Sequence, residues 1–325
     1  MGIDINKFFP YNKMKLVTVD GQQMLRIPRI YVKNEVIGSG AYAGKVAYFM
    51  NESPCKGYHL HPAFMNGGSA MSALDLSCYE AGRDRYGLPT SRSDCGIWTR
   101  MTRGQACEYA KLRNKDNNDP EKSGWHCWDI YCHHLLARIM LFEFGTTSIT
   151  QQGSGSPEFV YRGIHQPAGN PDEPMWLPGI GNINGYIHIA DNLGEGAFIN
   201  TGLKSPANGW PTAFSMIRGN QFDLGDVFIA TTTSPNETNG TCSDYQRLAL
   251  NGVSEAGYMT GHQGRWRKDP INGHGMFAIG QNTCGTGPND DWKGYGSPNV
   301  NWACDNNNDG ILDVGVRFRL AHWVK

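Results

Sequence analysis

Residues 124–145 read GWHCWDIYCHHLLARIMLFEFG, the longest apolar-periodic run without proline in a chain of 325 residues. Trp128, Tyr131, Leu135, Ile139 and Phe142 recur at steps of three and four, so they share one face of an α-helix. Leu136, Met140 and Phe144 widen that face beyond a narrow coiled-coil seam. The pattern predicts a helix over 124–144, capped by Ser123 or Gly124 and closed by Gly145 at C′. A helix apolar around so much of its circumference needs cover on more than one side. It is expected at the centre of a single domain.

Outward from this run, residues 102–114 (TRGQACEYAKLRN) predict a second helix, with Thr102 and Gln105 spaced as a capping box. Strands are expected at 25–33, at a sheet edge because Pro28 interrupts it, and at 45–50 and 57–64. Residues 82–100 read as a loop rich in Arg, Ser and Pro, and residues 1–24 as a polar, irregular arm around Phe8, Phe9 and Pro10. Beyond Gly145 the chain turns small and polar. Short β-like pieces follow at 159–162, 185–190, 197–200, 214–218 and 227–232, with a buried strand at 275–280. The last predicted strand, 314–324, alternates: Val314, Val316, Phe318 and Leu320 on one face, Arg317, Arg319 and Ala321 on the other. It is expected to end inside the fold.

Composition narrows the function. Glycine supplies 41 residues, well above the usual share of about 7%, which predicts many turns and long loops. A net charge of −1 lacks the basic footprint of a nucleic-acid or anionic-membrane binder. The local cluster Arg265-Trp266-Arg267-Lys268 reads as a solvated strand edge. No apolar run reaches the ~20 residues of a membrane span, and the first residues show no apolar core of a secretory signal. Nine cysteines form no CxxC pair, which predicts reduced thiols and no zinc site.

The two helices, the series of short strands and the terminal VGVRFRLA together resemble the C-type lectin fold. The likeness is to its branch of formylglycine-generating-enzyme-like domains and phage receptor-binding proteins of the major-tropism-determinant type. TRGQACEYAKL is similar to the first helix of that branch, HCWDIYCHHLLARIMLFEFGT with QQGSG to the second helix and its exit loop, and DVGVRFRLA to the closing strand. The likeness spans 25–165 and 270–325. It implies an α+β, C-type lectin-like fold with two helices, short twisted antiparallel sheets and long loop insertions. Residues 1–24 would be an arm meeting other virion proteins, and 25–325 one domain with insertions at about 166–270. The function implied is that of a phage virion or tail-tip protein, made in the host cytoplasm and carried as a homotrimer, which binds a host-surface glycan or protein and performs no catalysis. A formylglycine-generating-enzyme-like oxidoreductase, or its inactive descendant, is one alternative. A structural virion protein whose lectin-like fold makes only protein–protein contacts is another.

The residues weigh these alternatives. An oxidoreductase of this branch needs two cysteines close together near the C-terminus, whereas Cys284 and Cys304 are twenty residues apart. His59, His61, His133 and His134 lack an acidic partner at iron-site spacing, and adjacent helical residues point about 100° apart. The segment 281–309 carries the binding reading. It interleaves Trp292, Tyr295 and Trp302 with Asn282, Asn289, Asp290, Asp291, Asn299 and Asn301. Aromatics give rigid contact area at little entropic cost, and Asn, Asp and Gly give adaptable hydrogen bonds. In the phage proteins that the chain resembles, this segment contacts the receptor. The competing reading is a large loop that packs its own aromatics inward. Within it, Asp305, Asn307, Asp309 and Asp313 occupy positions 1, 3, 5 and 9 of an EF-hand-type calcium loop, with Gly310 at position 6. Position 12 is Val316 rather than a carboxylate, so calcium competes with a plain Asn/Asp turn.

Overall fold

A computed structural model of the chain describes residues 4–36, 39–40, 46–99, 101, 103–144, 160–167, 175–183, 186–190, 198–204, 213–217, 227–231, 262–268, 275–281 and 317–325. They are mostly sheet with few helices, a mixed architecture consistent with the α+β expectation.

The central sheet has five antiparallel strands: β1 (Lys15–Val19), β2 (Gln22–Pro28), β3 (Ala73–Ser77), β4 (Trp125–Cys127) and β5 (Leu320–Val324). Their spatial order is β1-β2-β3-β5-β4. A two-residue turn joins β1 to β2. Asp20 and Gly21 both take positive φ there, 45° and 75°, as a hairpin turn matched to strand twist requires. One face is apolar: Leu25 pairs with Leu76, and Ile27 with Leu74, which pairs in turn with Trp323. On the other face the same register sets Arg26, Asp75, His322 and Trp125 side by side across four strands.

Two helices pack around this sheet, α1 (Arg103–Lys111) and α2 (Ile130–Phe144). The apolar face expected from the sequence is buried: Leu135, Ile139 and Met140 are fully inaccessible, and Tyr131 and Leu136 nearly so. The helix starts later than its hydrophobicity suggests. Trp125, His126 and Cys127 form β4 instead, because their backbone completes the ladder of β5 and all three side chains are buried in the sheet. The cap is Asp129, whose Oδ1 accepts the Cys132 amide at 2.9 Å while its carbonyl accepts that of His133 at 3.0 Å. Gly124 precedes β4 at φ +83°, where a Cβ would meet the Trp323 carbonyl at 2.9 Å.

Other expectations change. β2 is interior, not an edge: Pro28 is its last residue, where a missing N–H costs no ladder bond, and Tyr31–Val36 begins a separate sheet. The span read as an arm contains β1, so residues 15–24 belong to the central sheet. Ahead of it, Tyr11 donates to the Ile139 carbonyl of α2 at 2.8 Å, and Asn6 accepts at 2.8 Å from Arg162 in the turn of the Val160–His165 hairpin. The loop 82–100 contains a small hairpin, Gly82–Arg83 with Pro89–Thr90.

Between α2 and β5 a second five-stranded sheet is ordered Phe198–Lys204, Tyr186–Ala190, Met175–Ile183, Gly275–Gln281, His262–Lys268. Met175–Ile183 contacts both helices. The Arg265–Lys268 cluster lies in the outermost strand, an edge as the sequence suggested. Among the described residues no helix is long and apolar enough to cross a membrane.

Candidate functional site

The segment singled out by the sequence lies outside the described residues: Asn282, Asn289, Asp290, Asp291, Trp292, Tyr295, Asn299, Asn301 and Trp302, together with Asp305, Asn307, Asp309 and Asp313. So do Cys284 and Cys304. Its two anchors are described. It leaves from Gln281 at the end of a strand of the second sheet and re-enters at Arg317, where the chain is buried and leads into β5.

At that re-entry point the residues form a cleft of about 400 Å³. Tyr79 and Glu80 follow β3 and form one side, and the rim is drawn from Arg92, Ser93, Cys95 and Ile97. His165 and Gln166 also line it, held by the His165 amide bonded to the Cys78 carbonyl at 2.8 Å. Arg317 and Arg319 line the cleft from the chain leading into β5. The Ala81 amide donates to the Phe318 carbonyl at 2.8 Å, which brings Glu80 alongside Arg317 although 237 residues separate them. The two side chains form a buried ion pair through Arg317 Nη1 and Glu80 Oε2.

Arg319 is more enclosed still. Its guanidinium donates to the carbonyls of Ser77 (3.4 Å), Gln166 (3.0 Å) and His165, and lies 5.4 Å over the Trp128 ring. Burial pulls its pKa below the usual arginine value, with Glu80 acting in the opposite direction. The rings of Tyr79 and His165 stack at 4.5 Å, and burial, then Arg319, lowers the His165 pKa. At the rim, burial followed by Asp94 raises the Cys95 pKa, and burial lifts Cys78 to about 11. Arg319 acts on Cys78, and Arg92 on Cys95, in the opposite direction, and burial outweighs both.

A second polar cluster lies under α2. His126 Nδ1 contacts the Gly124 carbonyl at 3.1 Å and its Nε2 lies 3.9 Å from Cys132 Sγ. Burial depresses His126 and His133 to about 3 and holds the Cys127 and Cys132 thiols well up. Among the described residues, no three His, Cys, Asp or Glu side chains are grouped to hold a metal ion, and the six described cysteines are free thiols. His61 serves the fold, since its Nδ1 accepts the Ala63 amide at 3.2 Å and caps the short helix Pro62–Phe64.

Sequence reasoning missed the cleft. Its one visible signal is the alternation that sets Arg317 and Arg319 on the same face of the terminal segment. The alternation alone gives that face no role, whereas in the fold Arg319 is fully buried and bonded to the turn carrying His165 and Gln166. No family model matches the chain, and no curated protein matches it.

Proposed function

We propose that this chain is a binding protein of a phage virion or tail tip, with a C-type lectin-like domain that presents residues of 281–309 to a host-surface glycan or protein. The observation that carries the reading is the anchoring of that segment. An aromatic- and Asn-rich span is tethered between a sheet strand ending at Gln281 and a buried re-entry at Arg317 and Phe318, followed by a strand held on both sides. Binding residues are favoured on loops that a rigid frame positions. Calcium held by Asp305, Asn307, Asp309 and Asp313 would stiffen the segment beside that frame. A homotrimer would display several copies, and other virion proteins would meet the chain through the exposed Phe8 of the docked N-terminal segment.

Attachment of the labelled protein to bacterial cells tests the proposal. Trp292→Ala, Tyr295→Ala and Trp302→Ala are each expected to weaken attachment by more than ~1 kcal/mol while the melting temperature stays nearly constant. Cys284→Ser and Cys304→Ser should attach like the parent. Silent aromatics with essential cysteines would favour the oxidoreductase alternative. Attachment by none of the proteins, with the trimer intact, would favour a purely structural virion role.

A further inference from the structure

The hairpin of Gly82–Arg83 with Pro89–Thr90 presents a braced surface of arginine and aromatic side chains. Asp84 fixes its turn. The Asp84 Oδ1 accepts the amides of Tyr86 and Leu88, each at 2.9 Å, its own amide donates to the Leu88 carbonyl at 2.9 Å, and its carbonyl accepts the Gly87 amide at 3.0 Å. Gly87 takes φ +80°, which a residue with a Cβ rarely adopts. What this turn holds out is Tyr86, 72% exposed and the most exposed large apolar or aromatic side chain among the described residues. The Arg85 guanidinium lies 4.7 Å over its ring.

The surface continues down the hairpin. Arg83, also exposed, lies 5.0 Å over the half-buried Trp98 ring, and Trp98 stacks on Tyr109 of α1 at 4.3 Å. Ile97, bridged to Gly82, adds an exposed apolar side chain. Arginine, tyrosine and tryptophan are the residue types enriched where protein interfaces concentrate their energy. A surface already fixed in shape loses little freedom on binding.

Charge narrows the partner. Among the described residues neither Arg83 nor Arg85 has a carboxylate partner, whereas Arg92 pairs with Asp94 and Arg113 with Asp20. Asp84, between them in sequence, is engaged by its own turn and lies 3.9 Å from Arg113. Two guanidiniums without counter-charge beside exposed apolar area favour a partner that brings carboxylates and apolar side chains together. A phosphate backbone fits less well, because the exposed Glu108 adjoins Tyr109 and the whole chain carries a charge of −1. We infer that this surface docks a short acidic segment of a partner protein, with carboxylates for Arg83 and Arg85 and apolar side chains for Tyr86 and Ile97. The docking is independent of 281–309 and stands whether or not those residues bind a receptor.

Calorimetric titration of the full chain with three blocked octapeptides, (Glu-Leu)4, (Lys-Leu)4 and (Glu-Gly)4, and with oligothymidylate tests it. The first should bind, the second and third each at least roughly tenfold weaker, and added salt should weaken the binding. Arg83→Glu and Arg85→Glu, both at exposed positions, should each reduce affinity for (Glu-Leu)4 by at least roughly tenfold with an unchanged melting temperature. Tyr86→Ala should reduce it by at least roughly fivefold, and Leu16→Ala, which trims an exposed apolar side chain of β1, should leave it unaltered. Oligothymidylate binding at least as tightly as (Glu-Leu)4 would reassign the surface to single-stranded nucleic acid. No binding of (Glu-Leu)4 at millimolar concentration, equal affinity for (Lys-Leu)4, or indifference to Arg85→Glu would equally overturn the assignment.

Discussion

Asp129 caps α2 from a fully buried position, and burial pushes its carboxyl up to about 6. A native pKa above the unfolded value of about 3.9 means that folding favours the protonated acid. Its contribution to stability is complete below about pH 3.9 and is lost as pH rises through about 6. Asp129→Asn keeps an acceptor for the Cys132 amide and removes the titration. The variant should exceed the parent in stability at pH 7 by on the order of 2–3 kcal/mol, and the gap should close near pH 4. Denaturant midpoints at the two pH values check this, and a gap independent of pH would exclude a titration. His126 and His133 act in the opposite sense. Burial holds both near 3, so the stability tied to their neutral forms is present above about pH 6.5 and lost on acidification. Only the difference between variant and parent isolates Asp129. Asp75 is a second buried acid with a different setting, since Arg26 grips it with two bonds of 2.7 and 2.8 Å and His322 with a third of 3.0 Å. Asp75→Asn leaves that cation without its counter-charge and should cost roughly 3 kcal/mol in chemical unfolding. A change within error would mean that the row of polar side chains is dispensable.

Among the elements, α2 carries the largest packing commitment. Leu135 and Ile139 are fully buried, and Leu135→Ala should cost roughly 2–5 kcal/mol, enough to lower the melting temperature by many degrees. An unchanged melting temperature would make the helix peripheral. Its face was legible because its apolar side chains repeat at helical spacing. Its start was not, because Trp125, His126 and Cys127 are as apolar as the helix and join it in sequence, and only pairing with β5 makes them a strand. β3 escaped notice for a related reason. Ala73, Leu74, Asp75, Leu76 and Ser77 are buried on both faces, and the acid in the middle breaks the pattern that marks a strand. That acid is tolerated because Arg26 and His322 arrive from neighbouring strands, a fact of register that composition does not contain. The Glu80–Arg317 pair of the cleft is hidden in the same way: each residue alone reads as an ordinary surface charge.

At the scale of the whole molecule, residues 281–309 carried the binding reading of the sequence, and of them the structure describes Gln281 alone. Calcium binding at Asp305, Asn307, Asp309 and Asp313 has a direct thermodynamic signature. Millimolar calcium should raise the melting temperature, EDTA should lower it, and Asp305→Ala should abolish the difference, with up to about 2.7 kcal/mol expected at a hundredfold excess over Kd. Coincident melting curves would leave the Asn/Asp turn. The position of β5 between β3 and β4 bears on biosynthesis as well. Leu320 reaches Ser77 across 243 residues of chain, which a ribosome working at ~5–20 residues per second makes in roughly 12–50 s. Until β5 is made, the nascent β3 and β4 each expose the strand edge that β5 covers in the fold. The hazard for this protein is therefore greatest during translation, when those edges can pair with other nascent chains.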